Sequence, residues 1–176
     1  MELWDLYDKN RNKTGKDWIR GNRLPDGYYR LVVHLAIFND DGKMLIQQRQ
    51  PFKNGWQNLW DISVGGSAQK GDDSNTAIER ELREELGVIR DFSSARPKLI
   101  LNFSNGFDDI YILNENIDLS TLTLQPEEVQ AVKWATETEI IEMINDGIFI
   151  PYHPSLISAL FHLKDHSGFH TRPDKQ

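Results

Sequence analysis

There is no cysteine in the 176-residue sequence. That excludes a disulfide framework, a thiol nucleophile and thiolate ligands to zinc. No apolar run is long enough to cross a bilayer, and the opening MELWDLYDKNRNK holds no signal-peptide core. The expectation is therefore a cytoplasmic protein with no membrane partner. Positive charge is in deficit: 20 Lys and Arg against 27 Asp and Glu leave a formal charge of -7. A nucleic-acid backbone calls for a basic face, so nucleic acid is not the expected partner. Phosphate itself is not excluded, because a metal ion can stand between acidic side chains and a phosphate group. Internal repeats and low-complexity segments are missing too. His153, His162, His166 and His170 lack the compact spacing of a zinc site. His34 lies in an apolar strand, where a hydrogen-bonded core histidine is the usual case.

What is present suits one soluble domain over residues 1–176, with 39% hydrophobic and 27% charged residues. Residues 1–27 read as an N-terminal hairpin extension and 165–176 as a polar, frayed tail. Residues 28–38, YYRLVVHLAIF, are rich in β-branched and aromatic types and predict a buried strand. NDDG turns it into an antiparallel partner, KMLIQQR. DISVGG predicts one brief strand, and KLILNFS, FDDIYILNE and VQAVKWA three more. Thr136 with Glu139 forms a capping-box start for a helix, and SLISALFHLK predicts a last one. Strands, a helix, more strands and then helices predict an α+β fold, a mixed sheet covered by helices.

The segment that carries chemistry is GGSAQKGDDSNTAIERELREELGV, residues 65–88. DDSN offers helix N-caps and Gly87 a C-terminal stop, predicting a helix of about 13–15 residues. At about 100° per residue, Ile78, Leu82 and Leu86 form one apolar stripe. With Ile78 at zero, Glu85 stands about 20° away and Glu81 about 60°, both beside the stripe. Glu84 stands at about 120°, while Arg80 and Gly87 fall on the far face. Glu79 and Glu84 suit a solvated face; Glu81 and Glu85 do not. Carboxylates beside a core must be paired, metal-bound or neutralised, and like charges at i and i+4 repel. By angle alone the stretch is either an ion-paired structural helix or a site for magnesium or manganese.

The spacing adds a resemblance. Gly66, five residues, Asp72, seven residues, then Arg80-Glu81-Leu82-Arg83-Glu84-Glu85-Leu86-Gly87-Val88 resembles the Nudix box, G-x5-E-x7-R-E-U-x-E-E-x-G-U. The one departure is Asp72 in place of the first glutamate. The resemblance implies a Nudix fold, a mixed sheet between helices. It also implies a Mg2+-dependent (or Mn2+-dependent) hydrolase of a diphosphate linkage in a nucleoside diphosphate derivative or similar small molecule. Carried over residue by residue, Glu81, Glu84 and Glu85 become metal ligands and Gly66 a carbonyl donor. Arg80 becomes the residue that orients a box carboxylate, and Asp72 takes a structural place at the helix start. The general base in this family varies in position. Glu127 and Glu128 are candidates here, with a solvated loop acid as the plain alternative, and Glu84 or Glu85 can also serve.

A narrower likeness runs through LWDLYD, VVHLAIFNDDGKMLIQQR and GWQNLWDISVGG, which look like the branch that includes type I isopentenyl diphosphate isomerase. That isomerase needs a cysteine and, two residues on, a metal-binding histidine; this chain has Gly65 and Ser67 there, and Arg30 in place of a further metal histidine. Isomerase chemistry is not expected without them. Two diphosphate-binding basic residues of the isomerase match, Arg49 and Lys53. A non-catalytic ligand sensor on the same scaffold is the third reading, disfavoured by the retained box acids, and a homodimer is left open. Trp56 and Trp60 are either base-stacking or packed loop residues. Asn102, Phe107 and Tyr111 are expected to line a pocket between strands.

Overall fold

In a computed structural model, the structure describes residues 2–170; the end of the expected tail, 171–176, lies outside them. The first strand, β1 (Leu3–Tyr7), pairs antiparallel with β2 (Lys13–Ile19) as a separate hairpin. β3 (Arg30–Phe38) and β8 (Gly106–Asn114) run parallel through nine residue pairs, from Arg30↔Gly106 to Phe38↔Asn114. β7 (Leu99–Phe103) is the antiparallel edge beside β8. On the other side β4 (Met44–Arg49) meets β3 only at Phe38↔Met44 and then diverges. β6 (Val64–Ser67) pairs with β3, while β5 (Trp60–Ile62) and β9 (Val129–Ala135) both pair with β4. Among the described residues three α-helices cover the sheet: α1 (Ser74–Leu86), α2 (Glu137–Asn145) and α3 (Pro154–Leu163). This is the expected α+β class, a mixed sheet between helices.

The alternation of β3 decides which helix covers which face. Leu31, Val33, Leu35 and Ile37 pack with Ile78, Leu82 and Leu86 of α1. Ala36 and Phe38 point the other way, into a cluster with Ile140, Ile157 and Leu160 of α2 and α3. None of the described helices is long and apolar enough to cross a membrane.

DISVGG forms two strands instead of one, and Ser63 is the reason. Its buried hydroxyl accepts from Ile37 N at 2.8 Å and donates to the Leu45 carbonyl. One side chain thus bridges β3 and β4 where they part, and the chain switches partners across it. Two further expectations are corrected. Phe107 and Tyr111 are buried in the α1-side core, Tyr111 joined to Ser74 of α1 at 2.8 Å, and Asn102 is an exposed residue on β7. They line no common pocket. Trp60 belongs to β5 with the Lys133 ammonium 4.7 Å from its ring, whereas Trp56 is exposed.

The hairpin is fastened to the segment that precedes α1. Lys70 N donates to Leu3 O at 2.8 Å, Gly71 N to the Asp5 carboxylate at 2.9 Å, and Lys13 Nζ to Asp72 O at 2.6 Å. At its turn Arg11, in a left-handed conformation (φ 66°), reaches the buried Asp109 of β8 at 2.8 Å across the Phe107 ring. A buried carboxylate deprived of its cation has no compensation. Arg11→Ala is expected to lower the unfolding free energy by about 3 kcal/mol, and adding Asp109→Asn to recover most of it, read from urea midpoints. Equal losses in the single and double variants would locate the effect in the Phe107 contact.

Candidate active site

Helix α1 is held at both ends. Asp73 is its N-cap, accepting from Thr76 N at 2.8 Å, while Asp73 N donates to Thr76 Oγ1 at 2.8 Å. The expected place of Asp72 at the helix start is thus corrected by one residue: Asp72 lies just outside, its Oδ2 accepting from Gln69 N at 3.0 Å and from Arg80. Gly87 ends the helix with φ 72°, and a Cβ there would press on Thr123. Thr123 N and Gln125 N take up the free carbonyls of Leu86 and Glu85 at 3.1 and 3.0 Å. That same turn then leads directly to Glu128.

The α1 acids divide as their angles suggest. Glu85 is 2% exposed, Glu81 9%, and Glu84 stands open to solvent. Glu85 Oε2 accepts from Gln47 Nε2 of β4 at 3.0 Å and from Gly65 N at 3.2 Å. The Glu81 carboxylate fills the space that a side chain at residue 66 would need, so a Cβ on Gly66 would run into it. A Cβ on Gly65 would strike the ring of His34. His34 Nδ1 is 2.7 Å from Asp108 Oδ1, behind the glycines.

Arg80 does not stay on the far face of the helix. Its side chain turns back along α1 and joins four groups: Asp72 Oδ2 through Nε and Nη2 at 3.1 and 3.0 Å, Glu81 Oε1 at 2.9 Å, Glu84 Oε2 at 3.1 Å and Ser67 O at 3.1 Å. The angle of a Cα does not fix the tip of a long side chain. These acids hold the guanidinium charged against the opposing effect of burial.

The acids open on a cleft of about 290 Å3, also walled by Arg49, Lys53, Gly66 and Glu128. Lys53 and Glu128 form an ion pair, and Arg49 Nη1 is 3.8 Å from the buried Asp61. Glu127 is exposed and does not line this cleft, so the structure separates the two loop acids. Glu2 and Arg20, paired at 2.7 Å, close the cleft from the open end of the hairpin. Sequence reading missed Gln47, Glu2 and Arg20, because their places depend on strand pairing and hairpin docking. The period-2 pattern of β4 does put Gln47 among buried residues, a signal that this amide has a polar partner.

As they lie, no three acids among the described residues are grouped to hold an ion, Glu81 and Glu84 being turned to Arg80. The donor set nevertheless fits a hard divalent cation: three carboxylates on one helix and an adjacent glycine strand with no side chain between. Burial, and then the charge of Glu81, push Glu85 up to about 8. Burial also raises Glu81 against the pull of Arg80. A cation at the two carboxylates would relieve both.

The NUDIX domain family matches residues 28–153. An uncharacterized Nudix hydrolase of Listeria monocytogenes is 46% identical over 170 residues, 97% of this chain and 99% of the relative. An isopentenyl-diphosphate Delta-isomerase of Salmonella heidelberg is 34% identical over 116 residues, 58% of this chain and 62% of the relative. A crystal structure from Deinococcus radiodurans superposes with a TM-score of 0.72 at 25% identity, covering 89% of this chain and 98% of that one.

The raised groups set the sign of a pH dependence. Burial opposes the His34 imidazolium, but Asp108 outweighs it and lifts the group to about 9. Glu85 and His34 both bind protons more tightly in the folded chain than their ordinary values of 4.5 and 6.5. The stability they contribute is complete below those values and is lost as pH rises through about 8 and 9. The metal-free protein is expected to melt lower at pH 9 than at pH 5, by on the order of 5 °C. Magnesium should shrink the difference, and Glu85→Gln should remove much of it, by thermal denaturation at matched ionic strength. A melting temperature that rises from pH 5 to pH 9 would contradict this account.

Proposed function

The chain belongs to the Nudix family, and on that premise we propose that it is a pyrophosphohydrolase, cleaving a diphosphate linkage in a nucleoside diphosphate derivative or a similar small molecule, with Mg2+ or Mn2+. The observation that carries this reading is the buried Glu81–Glu85 pair beside Gly66, an arrangement with a large electrostatic cost and no full set of cations to offset it. Glu81, Glu84 and Glu85 would hold the metal, with the Gly66 carbonyl beside them. When bound, the cation neutralises phosphate oxygens and lowers the pKa of an attacking water.

The chain's own groups divide the remaining work. Arg80 fixes Glu81 and Glu84 on one side and Asp72 on the other, so it positions the carboxylates instead of touching the substrate. Arg49 and Lys53 supply cations for phosphate oxygens from the opposite wall. Lys53 is paired with Glu128 in the free protein. A phosphate that draws Lys53 away leaves Glu128 as an unpaired carboxylate at the cleft, available to take a proton from water. Substrate binding would then release the general base.

Isomerase chemistry finds a physical obstacle at Gly65. A cysteine there needs space that the His34 ring occupies, and Ser67 and Arg30 supply no imidazole.

Phosphate release with magnesium across nucleoside diphosphates, sugar nucleotides, CoA and prenyl diphosphates tests the reading. Turnover is expected for at least one class and should fall by about 100-fold or more in Glu85→Gln. Glu128→Gln should lower kcat and flatten the acid limb of its pH profile. Isomerisation without hydrolysis would sink the proposal, and inactivity over the whole panel would favour a ligand sensor.

A further inference from the structure

The cleft continues past the α1 acids. Beyond Glu2, Arg20, Lys53 and Glu128, which line both parts, it widens into a second lobe of about 910 Å3. The narrow lobe is at the lower end of the size range of small-molecule sites and the wide one at its upper end. Trp4, Arg30 and Phe52 are among the residues that line the wide lobe.

The cations of this lobe are not equivalent. Arg20 is paired with Glu2, Lys53 with Glu128, and Arg23 stands 3.9 Å from Asp26. Arg30 has no carboxylate within 4 Å among the described residues, and Asp108 attracts it only from farther off. Its guanidinium lies 4.9 Å from the ring of Trp4 and 5.4 Å from that of Phe103, and Nη1 donates to Ser67 Oγ at 2.9 Å. One of five N–H donors is thereby used. Burial, and then repulsion from Arg20, press its pKa down. Aromatic faces offset part of the desolvation of a cation, but they do not replace an anion. The side chain is also held in place: Ser67 joins Arg30 through its hydroxyl and Arg80 through its carbonyl at 3.1 Å. A half-buried, oriented and unpaired guanidinium at the wall of an organic-sized cavity matches an incoming oxyanion.

We propose that Arg30 is a substrate-recognition residue, binding an oxyanion of the substrate in the wide lobe beside the phosphate held at the α1 acids. The proposal rests on the hydrolase reading for that second phosphate. It gives the substrate a direction: the metal-held phosphate in the narrow lobe, the organic moiety in the wide one. The oxyanion is either the other phosphate of the diphosphate or a separate anionic group on the organic moiety.

Calorimetry with magnesium and non-hydrolysable probes decides between these sources. Methylenediphosphonate and α,β-methylene-ADP carry only the diphosphate, and adenosine 3′,5′-bisphosphate carries a separate phosphate. Arg30→Met is expected to weaken at least one probe by about tenfold or more, with Arg30→Lys recovering part of the loss. Loss on the first two probes identifies the diphosphate as the source; loss confined to the third identifies a separate group. Should Arg30→Met not fold, Ser67→Ala frees the guanidinium but keeps its charge and aromatic contacts, and several-fold weaker binding is expected. Unchanged affinity for all probes with a lowered melting temperature would make Arg30 only a strut between Trp4 and Phe103, and overturn the proposal. Failure of the wild-type protein to bind any probe would overturn it as well. A wild-type protein that binds these probes but releases no phosphate from the hydrolysable panel would count against the hydrolase reading alone.

Discussion

Two carboxylates one turn apart on the buried side of α1 constrain everything around them. Like charges at that spacing repel, and the repulsion grows as water is excluded. The fold answers with space and with donors. Gly66 leaves the volume that the Glu81 carboxylate fills, and Gly65 N and Gln47 meet Glu85. Arg80 ties Glu81 to the loop before the helix. These partners come from β4, β6 and α1, so the sheet must be assembled before the acids are compensated. The hairpin then clamps residues 70–72 from outside, and the 123–125 turn fixes the other end of α1. The site is therefore supported at each point where α1 could shift along its axis.

Gly65 shows how one position can separate two chemistries on one fold. The residue is small because His34, one strand away on β3, lays its ring over it. His34 is in turn anchored by Asp108 on the parallel neighbour β8. A reactive side chain at 65 is thus incompatible with the histidine–aspartate pair as it lies.

What the sequence made legible was local or periodic. The α1 stripe, the Gly87 stop, the Thr136–Glu139 box and the fold class follow from three- and four-residue spacings and strand alternation. The division of Glu81 and Glu85 from Glu84 was legible for the same reason, because angle around a helix is a property of sequence alone. Arg80 was misplaced because a long side chain can leave the face of its Cα. The break at Ser63 was hidden because it depends on β3 and β4 diverging, and the places of Phe107 and Tyr111 because the layer a strand face meets is set by which helix packs on it. Glu2 and Arg20 reach the cleft only through the docking of a hairpin whose anchor, Arg11–Asp109, spans 98 residues of sequence. No pattern along the chain encodes a contact of that range.

The charge of the whole chain and that of the cleft act in opposite directions. A free diphosphate approaching a protein of formal charge -7 is repelled at range, over roughly the 8 Å screening length of physiological salt. Inside the cleft, Arg49, Lys53 and Arg30 present cations, yet two of these already face carboxylates, Asp61 and Glu128. A phosphate reaching Arg49 or Lys53 must therefore displace an existing ion pair, whereas the buried α1 acids still lack a full set of cations. Displacement is most favourable for a ligand that brings a divalent cation to the α1 acids and an anion to the opposite wall together. On the proposed reading, selectivity for a metal-bound diphosphate over a free one, or over a neutral molecule of similar size, arises from this double exchange. The cost of burying Glu81 and Glu85 is then the origin of the discrimination, because only a ligand carrying both charges relieves it.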